Sequence, residues 1–585
     1  MHILPGDTGC VIGTLFHRYG APIPLERLDY SDGRAIHSTG GRHLIDRFWG
    51  QYIALLRLTD GTLALRDPSG MLPCVYTNSG SLICLASDPA LLVEAGLLRA
   101  EVDDCGVARA LLFPGFPDEK TALRRVKYLR PGTGVYRRSG TSDVKTFWTP
   151  WSFVSTNPEV TAGSKAEELE RTIQQCVTGW SRQHDRGLVC VSGGLDSSIV
   201  ASALSRSGNH LSCLTLVTDD KLGDERHYCA TLAEHLNADL VVERYNIVDI
   251  RLDVSSVVHQ ARPFGRPDAL AYDAALVRTA RKLSASCVFS GHGGDNVFYM
   301  SHSARPVVDR LLTDGFSAGI WNSIHDIAEL TGESVFKVMR HALRNWRRRS
   351  EPYCWRPSAA YLSPDLVEKQ LAEPAHHPWL NRPEEGSLPG KSAQIAMLLR
   401  MQHSTDAYLE RCGMPIIHPL VSQPIVECCL GIPTWQQSRG GRNRAVAREA
   451  FGAHLPHAIV DRRLKGSPQG FIQEIYQRFL PAIRERLLDG YLVASGIVDR
   501  TGLEAALRQT TRHDGSGVLR LLLLVDTEAW VRHWQTKRAI SSLPAVTTSS
   551  MCGLGGYRQL SEPGTISDQT KDSTLPAHQH CTAKS

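Results

Sequence analysis

No two cysteines in this chain are spaced C-x-x-C, although it carries 15 cysteines in 585 residues. The absence argues against a cysteine zinc site or a dithiol redox centre. Cys84, Cys190, Cys213 and Cys287 fall within apolar runs, which points to reduced, buried thiols. No stretch reaches the ~18 uninterrupted apolar residues that a membrane helix needs. The start, Met1-His-Ile-Leu-Pro-Gly-Asp7, has no basic segment leading into an apolar run. A cytoplasmic protein without a membrane partner is therefore expected. Neither sign of charge dominates: 65 Lys and Arg against 60 Asp and Glu leave +5, too little at this length to predict nucleic-acid binding. No internal repeat is evident, and the length calls for two or three domains.

What is present is concentrated in two glycine-rich stretches. Leu188 to Val191 suit a strand buried on both faces, and Gly193 and Gly194 let the backbone turn and aim its N–H groups at an anion. The loop runs Ser192, Gly193, Gly194, Leu195, Asp196, Ser197, Ser198. Ser197 and Ser198 open a helix carrying Ile199, Val200, Ala203 and Leu204, whose N-terminus favours phosphate. Asp196 would repel bare phosphate unless a divalent cation lay between them, which implies Mg²⁺. This loop lacks the Gly-Lys-[Ser/Thr] of a Walker loop, which sets aside γ-phosphate transfer and motor ATPases. An ordinary strand-to-helix turn is the plain alternative for such a pattern. Cys287 to Phe298 shifts the balance, because it repeats the chemistry with Ser290, Gly291, His292, Gly293, Gly294 and Asp295. In an open parallel sheet both loops emerge at the carboxyl ends of strands, where Asp196 and Asp295 can share one Mg²⁺-ATP. Between them, a strand at Leu211 to Val217, a helix from about Glu225 to Leu236 and a strand at Leu240 to Tyr245 give the alternation of a doubly wound α/β sheet. The adenine is expected against Leu214 to Val217, with the backbone at Leu216 and Val217 reading its edge.

The pattern Ser192-Gly-Gly-Leu-Asp-Ser197 resembles that of the N-type ATP pyrophosphatases, which cleave ATP between its α and β phosphates. Upstream, residues 1–155 are rich in short β-like runs: Gly9 to Phe16, Tyr52 to Leu58, Thr62 to Arg66, Cys74 to Thr77 and Ser81 to Ala86, with hairpin turns at Asp60-Gly61 and Ser79-Gly80. Phe48-Trp-Gly-Gln-Tyr52 and Arg66-Asp-Pro-Ser-Gly70 resemble the glutaminase domain, of the Ntn-hydrolase type, of class B asparagine synthetases. That resemblance departs at the nucleophile. The chain begins Met1-His2, and Cys10 lies one place out of register, so a degenerate domain without glutamine hydrolysis is expected.

The whole arrangement is similar to β-lactam synthetases and, more closely, to lasso-peptide cyclases. The closer match is carried by His418-Pro-Leu-Val-Ser-Gln-Pro-Ile-Val-Glu427, Gly440-Gly-Arg-Asn-Arg-Ala-Val-Ala-Arg-Glu-Ala-Phe451 and Leu455-Pro-His-Ala-Ile-Val-Asp-Arg-Arg-Leu-Lys-Gly-Ser467. It implies a synthetase domain over 160–540, followed by a tail over 541–585 whose polar composition predicts disorder. It also implies Lys465 as the cation over the phosphates and the developing oxyanion, where fixed charge lowers a barrier most. The bland reading of Lys465 is a surface lysine beside Arg462 and Arg463, which either touch phosphates or cap a helix. His292 stands where asparagine synthetases carry Glu and β-lactam synthetases Tyr. It is either the proton acceptor for the attacking amine or a loop-shaping residue. His403, Asp406 and Glu410 are weaker candidates for that task. Asp224-Glu225 resembles a family pair but is equally explained by helix capping.

The function so implied is an ATP-dependent macrolactam synthetase. It would adenylate an Asp or Glu side chain of a ribosomal precursor peptide and join it to the peptide's N-terminal amine, releasing AMP and pyrophosphate. The partners implied are the precursor peptide, a maturation protease and a leader-binding protein. The alternatives are an ammonia-using amidotransferase, a small-molecule lactam synthetase, or a silent scaffold for the precursor. The run Arg344-Asn-Trp-Arg-Arg-Arg349 suits an acidic or extended peptide, with Trp346 as a stacking face, or else a solvated helix face.

Overall fold

Alternating apolar positions in the first 150 residues pair into antiparallel sheets in the computed structural model. The described residues are 1–79, 82–138, 141–154, 162–208, 211–218, 223–381, 388–406, 413–463, 466, 468–508 and 515–541. In chain order the first strands are β1 (His2–Ile3), β2 (Gly9–His17), β3 (Phe48–Leu58), β4 (Gly61–Arg66), β5 (Val75–Ser79), β6 (Leu82–Ala86), β7 (Lys127–Tyr128), β8 (Thr133–Arg138) and β9 (Thr141–Thr146). They form a six-stranded sheet, β1-β2-β3-β4-β8-β9, and a three-stranded one, β6-β5-β7. The first hairpin turns one residue earlier than the Asp60-Gly61 pair suggests. Leu58 pairs with Gly61, so Thr59 and Asp60 make the turn. The second hairpin, at Ser79-Gly80, enters residues outside the described set. Arg66 and Asp67 are wholly buried. Arg66 donates to the carbonyls of Leu129 (2.7 Å) and Gly70 (2.6 Å), while Asp67 accepts from the amides of Tyr52, Ser69 and Gly70.

After the helix Ala162–Ser181 the pattern changes to parallel strands joined by helices. They are β10 (Gly187–Cys190), β11 (Ser212–Val217), β12 (Asp239–Arg244), β13 (Cys287–Ser290) and β14 (Ile416–Ile417). The sheet order is β12-β11-β10-β13-β14, all parallel, so the winding direction reverses between β10 and β13. This is the switch point at which open α/β sheets leave a crevice. The protein is thus mixed α/β, with an antiparallel β-rich portion and a doubly wound parallel sheet.

Trp180, near the end of the helix Ala162–Ser181, ties the two together. Its ring is fully buried against Phe16 (5.0 Å between centroids) and Trp49 (5.9 Å), and its Nε1 donates to Ser422 Oγ at 2.9 Å. Trp148 Nε1 donates to Glu427 Oε1 at 2.8 Å, and Arg18 pairs with the same carboxylate. The C-terminal helix Gly515–Ser541 buries Leu521, Leu524, Trp530 and Trp534. Its Asp526 accepts from Ser255 Oγ (2.6 Å) and Ser256 N (2.7 Å).

The described cysteines are all free, and burial pushes the thiols of Cys213 and Cys287 up to about 12. Cys84 and Cys190 are only partly buried. Among the described residues no helix is long and apolar enough to cross a membrane. The tail predicted over 541–585 lies, from 542 on, outside the described residues.

Candidate active site

β10 and β13 lie side by side, Cys190 opposite Ser290, so the loops leaving their carboxyl ends meet. Three glycines set how closely. Gly193 has φ +60, and a Cβ there would fall 2.4 Å from Tyr228 Cβ. A Cβ on Gly291 would sit 2.4 Å from the Ser197 amide nitrogen, and one on Gly294 would sit 2.4 Å from Asp196 Cγ. Gly291 and Gly294 therefore serve contact with the first loop, while Gly293, φ +89, abuts Met401 and Val421. The first loop is braced by its own hydroxyls: Ser192 N donates to Ser197 Oγ (3.2 Å), and Ser198 Oγ donates to Gly194 O (2.8 Å). The helix following it, Leu195–Ser205, begins two residues before Ser197 and so includes Asp196 in its first turn.

A cavity of about 460 Å³ opens at this junction. Ser192, Gly194, Leu195, Asp196, Ser197, Leu216, Ser290, Gly291, His292, Gly293 and Asp295 line it. Gly193, Ser198, Val217 and Gly294 do not: they lie beneath the wall, and Val217 points to the opposite sheet face from Leu216. Leu214, Tyr245 and Tyr272 complete an apolar side suited to a planar ring.

Asp196 and Asp295 converge on one cation, Arg444. Its Nη1 donates to Asp196 Oδ1 (3.0 Å) and Oδ2 (2.9 Å) and to Asp295 Oδ1 (2.6 Å). Arg444 caps the helix Ala445–Ala450 in a left-handed conformation, φ 55 and ψ 35, which a non-glycine residue adopts at a cost. A single nitrogen reaching both carboxylates shows that one small cation placed there has both within reach. Among the described residues no group of three or more acidic, His or Cys side chains surrounds a metal position, so further oxygens would have to come from phosphate and water.

The neighbouring arginines hold the cavity's far wall. Arg462 Nη1 donates to Gly193 O (2.9 Å), its Nη2 to Glu225 Oε1 (2.5 Å), and its guanidinium lies 3.9 Å from the Tyr228 ring centroid. Glu225 also accepts from Gly466 N at 2.9 Å. Asp224 sits one place before the helix cap Glu225, whose side chain makes no capping bond. Asp224 accepts from the Arg226 amide at 3.1 Å and pairs with the Arg226 guanidinium at 2.6 Å. Arg463 reaches outward to Glu329 (3.1 Å). Arg448 is buried and donates to the carbonyls of Asn443, Val460 and Arg462, and desolvation lowers its pKa to about 10. Lys465 lies outside the described residues, between Arg462 and Gly466.

His292 lines the cavity, and burial lowers its pKa, the Met401 carbonyl 3.5 Å from Nε2 opposing in part. At neutral pH it is uncharged, the form that accepts a proton. His418, 4.9 Å away edge to face, shares a 2.8 Å hydrogen bond between its Nδ1 and Ser290 Oγ, and burial holds its pKa well below the usual value. His403 does not reach the cavity: it packs on Phe264 at 4.6 Å and contacts that residue's carbonyl at 3.3 Å, with its pKa lowered to about 3 by burial. The Asp406 side chain and Glu410 lie outside the described residues. Reading the sequence missed Arg444, Arg448 and the anchoring role of Glu225. Two aspartates aimed at one point are a signal that a counter-cation must stand near them, though the sequence does not say which.

The family model of asparagine synthase matches residues 168–532, a span holding both glycine loops, both aspartates and the arginine wall. The chain belongs to the asparagine synthase family. As a member it is an ATP-dependent amide ligase. No curated protein matches it. Among solved structures it is similar to the NMN synthetase of Francisella tularensis, with 13% identity and a TM-score of 0.18 over 33% of this chain and 95% of that one. It is also similar to the glutamine phosphoribosylpyrophosphate amidotransferase of B. subtilis, with 10% identity and a TM-score of 0.16 over 41% of this chain and 62% of that one.

Proposed function

We propose that this asparagine synthase family member is a lasso-peptide macrolactam synthetase. The carrying observation is the convergence of Asp196 and Asp295 across two abutting glycine loops at the sheet's switch point. Such a site suits ATP cleavage between the α and β phosphates. Asp196 and Asp295 would hold Mg²⁺, which when bound neutralises the departing pyrophosphate. Gly194 and Leu195, at the N-terminus of the following helix, line the cavity on the side where that anion would lie. Leu214, Leu216 and Tyr245 supply a surface for the adenine.

A substrate carboxylate oxygen attacks the α phosphorus, the bond to the β-bridging oxygen breaks, and an acyl-adenylate remains. An amine then attacks the activated carbonyl, the bond to AMP breaks, and the amine's proton passes to a base. His292, which lines the cavity and whose pKa burial lowers, is assigned that role. Lys465 is assigned the growing oxyanion. Ring formation follows from where the amine comes from. Cys10 lies within β2, paired with Ile3 and Leu55, so a peptide amide accompanies its thiol, as suits a degenerate, Ntn-type glutaminase-like portion over 1–155. An amine carried by the substrate itself makes the product a macrolactam. The substrate is then a ribosomal precursor peptide in the cytoplasm, met together with a maturation protease and a leader-binding protein.

The test is mass spectrometry of a precursor core peptide incubated with this protein, its maturation protease, Mg²⁺ and ATP. Loss of one water with stoichiometric AMP is the expected result. AMP release with a free amino acid and an unchanged peptide would move the assignment to small-molecule amide synthesis.

A further inference from the structure

A second, larger cavity of about 1090 Å³ lies beside the nucleotide cavity. Its wall is one row of the helix Val335–Arg347: Lys337, His341 and Arg344, with Arg348 just past its end, spaced four, three and four residues apart on one face. Val338 and Ala342 turn the neighbouring face into the core. A basic row on a convex helix would be plain solvation. This one faces a concavity closed by Arg305 and Arg356 from two other segments.

The charge there is unbalanced. Five fixed cations, Arg305, Lys337, Arg344, Arg348 and Arg356, face two carboxylates, Glu333 and Glu351. Lys337 pairs with Glu333 at 2.5 Å, and Arg348 lies 3.9 Å from Glu351. Among the described residues no carboxylate pairs with Arg305, Arg344 or Arg356. Guanidinium forks match carboxylates in bidentate geometry. The volume exceeds that of most single small-molecule sites, ~300–1,000 Å³, and accommodates several residues of extended chain. Trp346 is not part of the lining, and Arg349 lies 4.4 Å from its ring centroid. The rings that do line the groove are His302, His341 and Tyr353, and Arg305 lies 5.8 Å from the Tyr353 centroid, so the test below includes an oligonucleotide.

The two cavities adjoin. Met300 lines the nucleotide cavity and His302 the basic groove, so at most ~7 Å of extended chain separates them. The helix Pro389–Asp406 also spans both: Pro389 and Ser392 line the groove, while the Met397 carbonyl accepts from Asn296 Nδ2 at 2.7 Å.

We propose that this groove binds an acidic, extended segment of the peptide whose carboxylate is activated next door, an assignment that rests on the peptide-ligase reading above. The test uses the full chain, a fluorescein-labelled aspartate-rich peptide and its asparagine counterpart, read by fluorescence anisotropy. The aspartate peptide binds about tenfold more tightly, and the difference closes at high salt and in the double variant Arg344→Gln/Arg356→Gln. Both positions are exposed, and unchanged binding of a fluorescent ATP analogue reports that the variant is folded. Equal binding of the two peptides, or undiminished binding by the variant, overturns the assignment. So does tighter binding of a single-stranded oligonucleotide than of the aspartate peptide. Ring formation is scored separately: aspartate-selective binding without ring closure supports the groove while removing the macrolactam reading, and ring closure with wild-type KM in the variant removes the groove alone.

Discussion

Arg444 bridges Asp196 and Asp295 at the position where a metal ion would neutralise both. Both it and Asp196 are little exposed, so the pair of carboxylates is costly without a cation. Arg444→Ala should lower the stability of the nucleotide-free protein by about 2 kcal/mol, with Asp295 softening the loss because it is partly exposed. Thermal unfolding with and without Mg²⁺ tests this: the variant gains stability from Mg²⁺ and the wild type gains less. A variant as stable as the wild type and indifferent to Mg²⁺ would show that Arg444 is no counter-ion. Asp196→Asn and Asp295→Asn should each reduce AMP formation at least ~100-fold, and retained turnover in either removes its metal role. The aspartates were legible because each sits in a glycine loop after an apolar strand. Arg444 was not, because its partners lie 248 and 149 residues away and its backbone conformation is fixed by packing.

At the scale of elements, strands with apolar runs bounded by turn residues were readable, but β8 and the polar β9 were not, and β3 begins four residues before the run Tyr52 to Leu58. β14, only Ile416–Ile417, is too short to show a period, and the pairing of β13 with β10 depends on contacts a hundred residues apart. The glycines were recognised, but the reason for two of them was different. Gly291 and Gly294 are required by the first loop's backbone and by Asp196, not by phosphate approach alone. Gly294→Ala should therefore leave the sheet folded while displacing the Asp196 carboxylate, at a cost of about 100-fold in ATP turnover. Circular dichroism and pyrophosphate release measured together check it. Turnover within a few-fold of wild type would mean that the loop shifts freely and that the aspartate is not held by this contact.

For the whole molecule, composition and periodicity foretold an antiparallel portion followed by a wound parallel one. Their joining through Trp180, Phe16 and Trp49 was not foretold, because an aromatic in an amphipathic helix reads the same whichever core it enters. A consequence of burying so much polar surface is acid sensitivity. His292, His377, His403 and His418 all have pKa values lowered from 6.5, chiefly by burial, His403 to about 3. His377 Nδ1 accepts from the Trp379 amide at 3.1 Å, which needs that nitrogen unprotonated. Each therefore binds fewer protons folded than unfolded, so stability is full above pH 6.5 and falls below it. The slope approaches about 1.4 kcal/mol per pH unit for each histidine. Asp309 acts in the opposite sense: burial raises its pKa to about 6, so the folded state holds a proton that the unfolded state releases, offsetting roughly one histidine between pH ~4 and ~6. Urea unfolding from pH ~7.5 to ~5.5 should show a plateau, then a loss steepening towards ~3–4 kcal/mol per pH unit. His403→Gln, away from the nucleotide cavity, should make the fall shallower by about 1.4 kcal/mol per unit, and a profile flat down to pH ~5 would mean that these imidazoles are protonated in the fold.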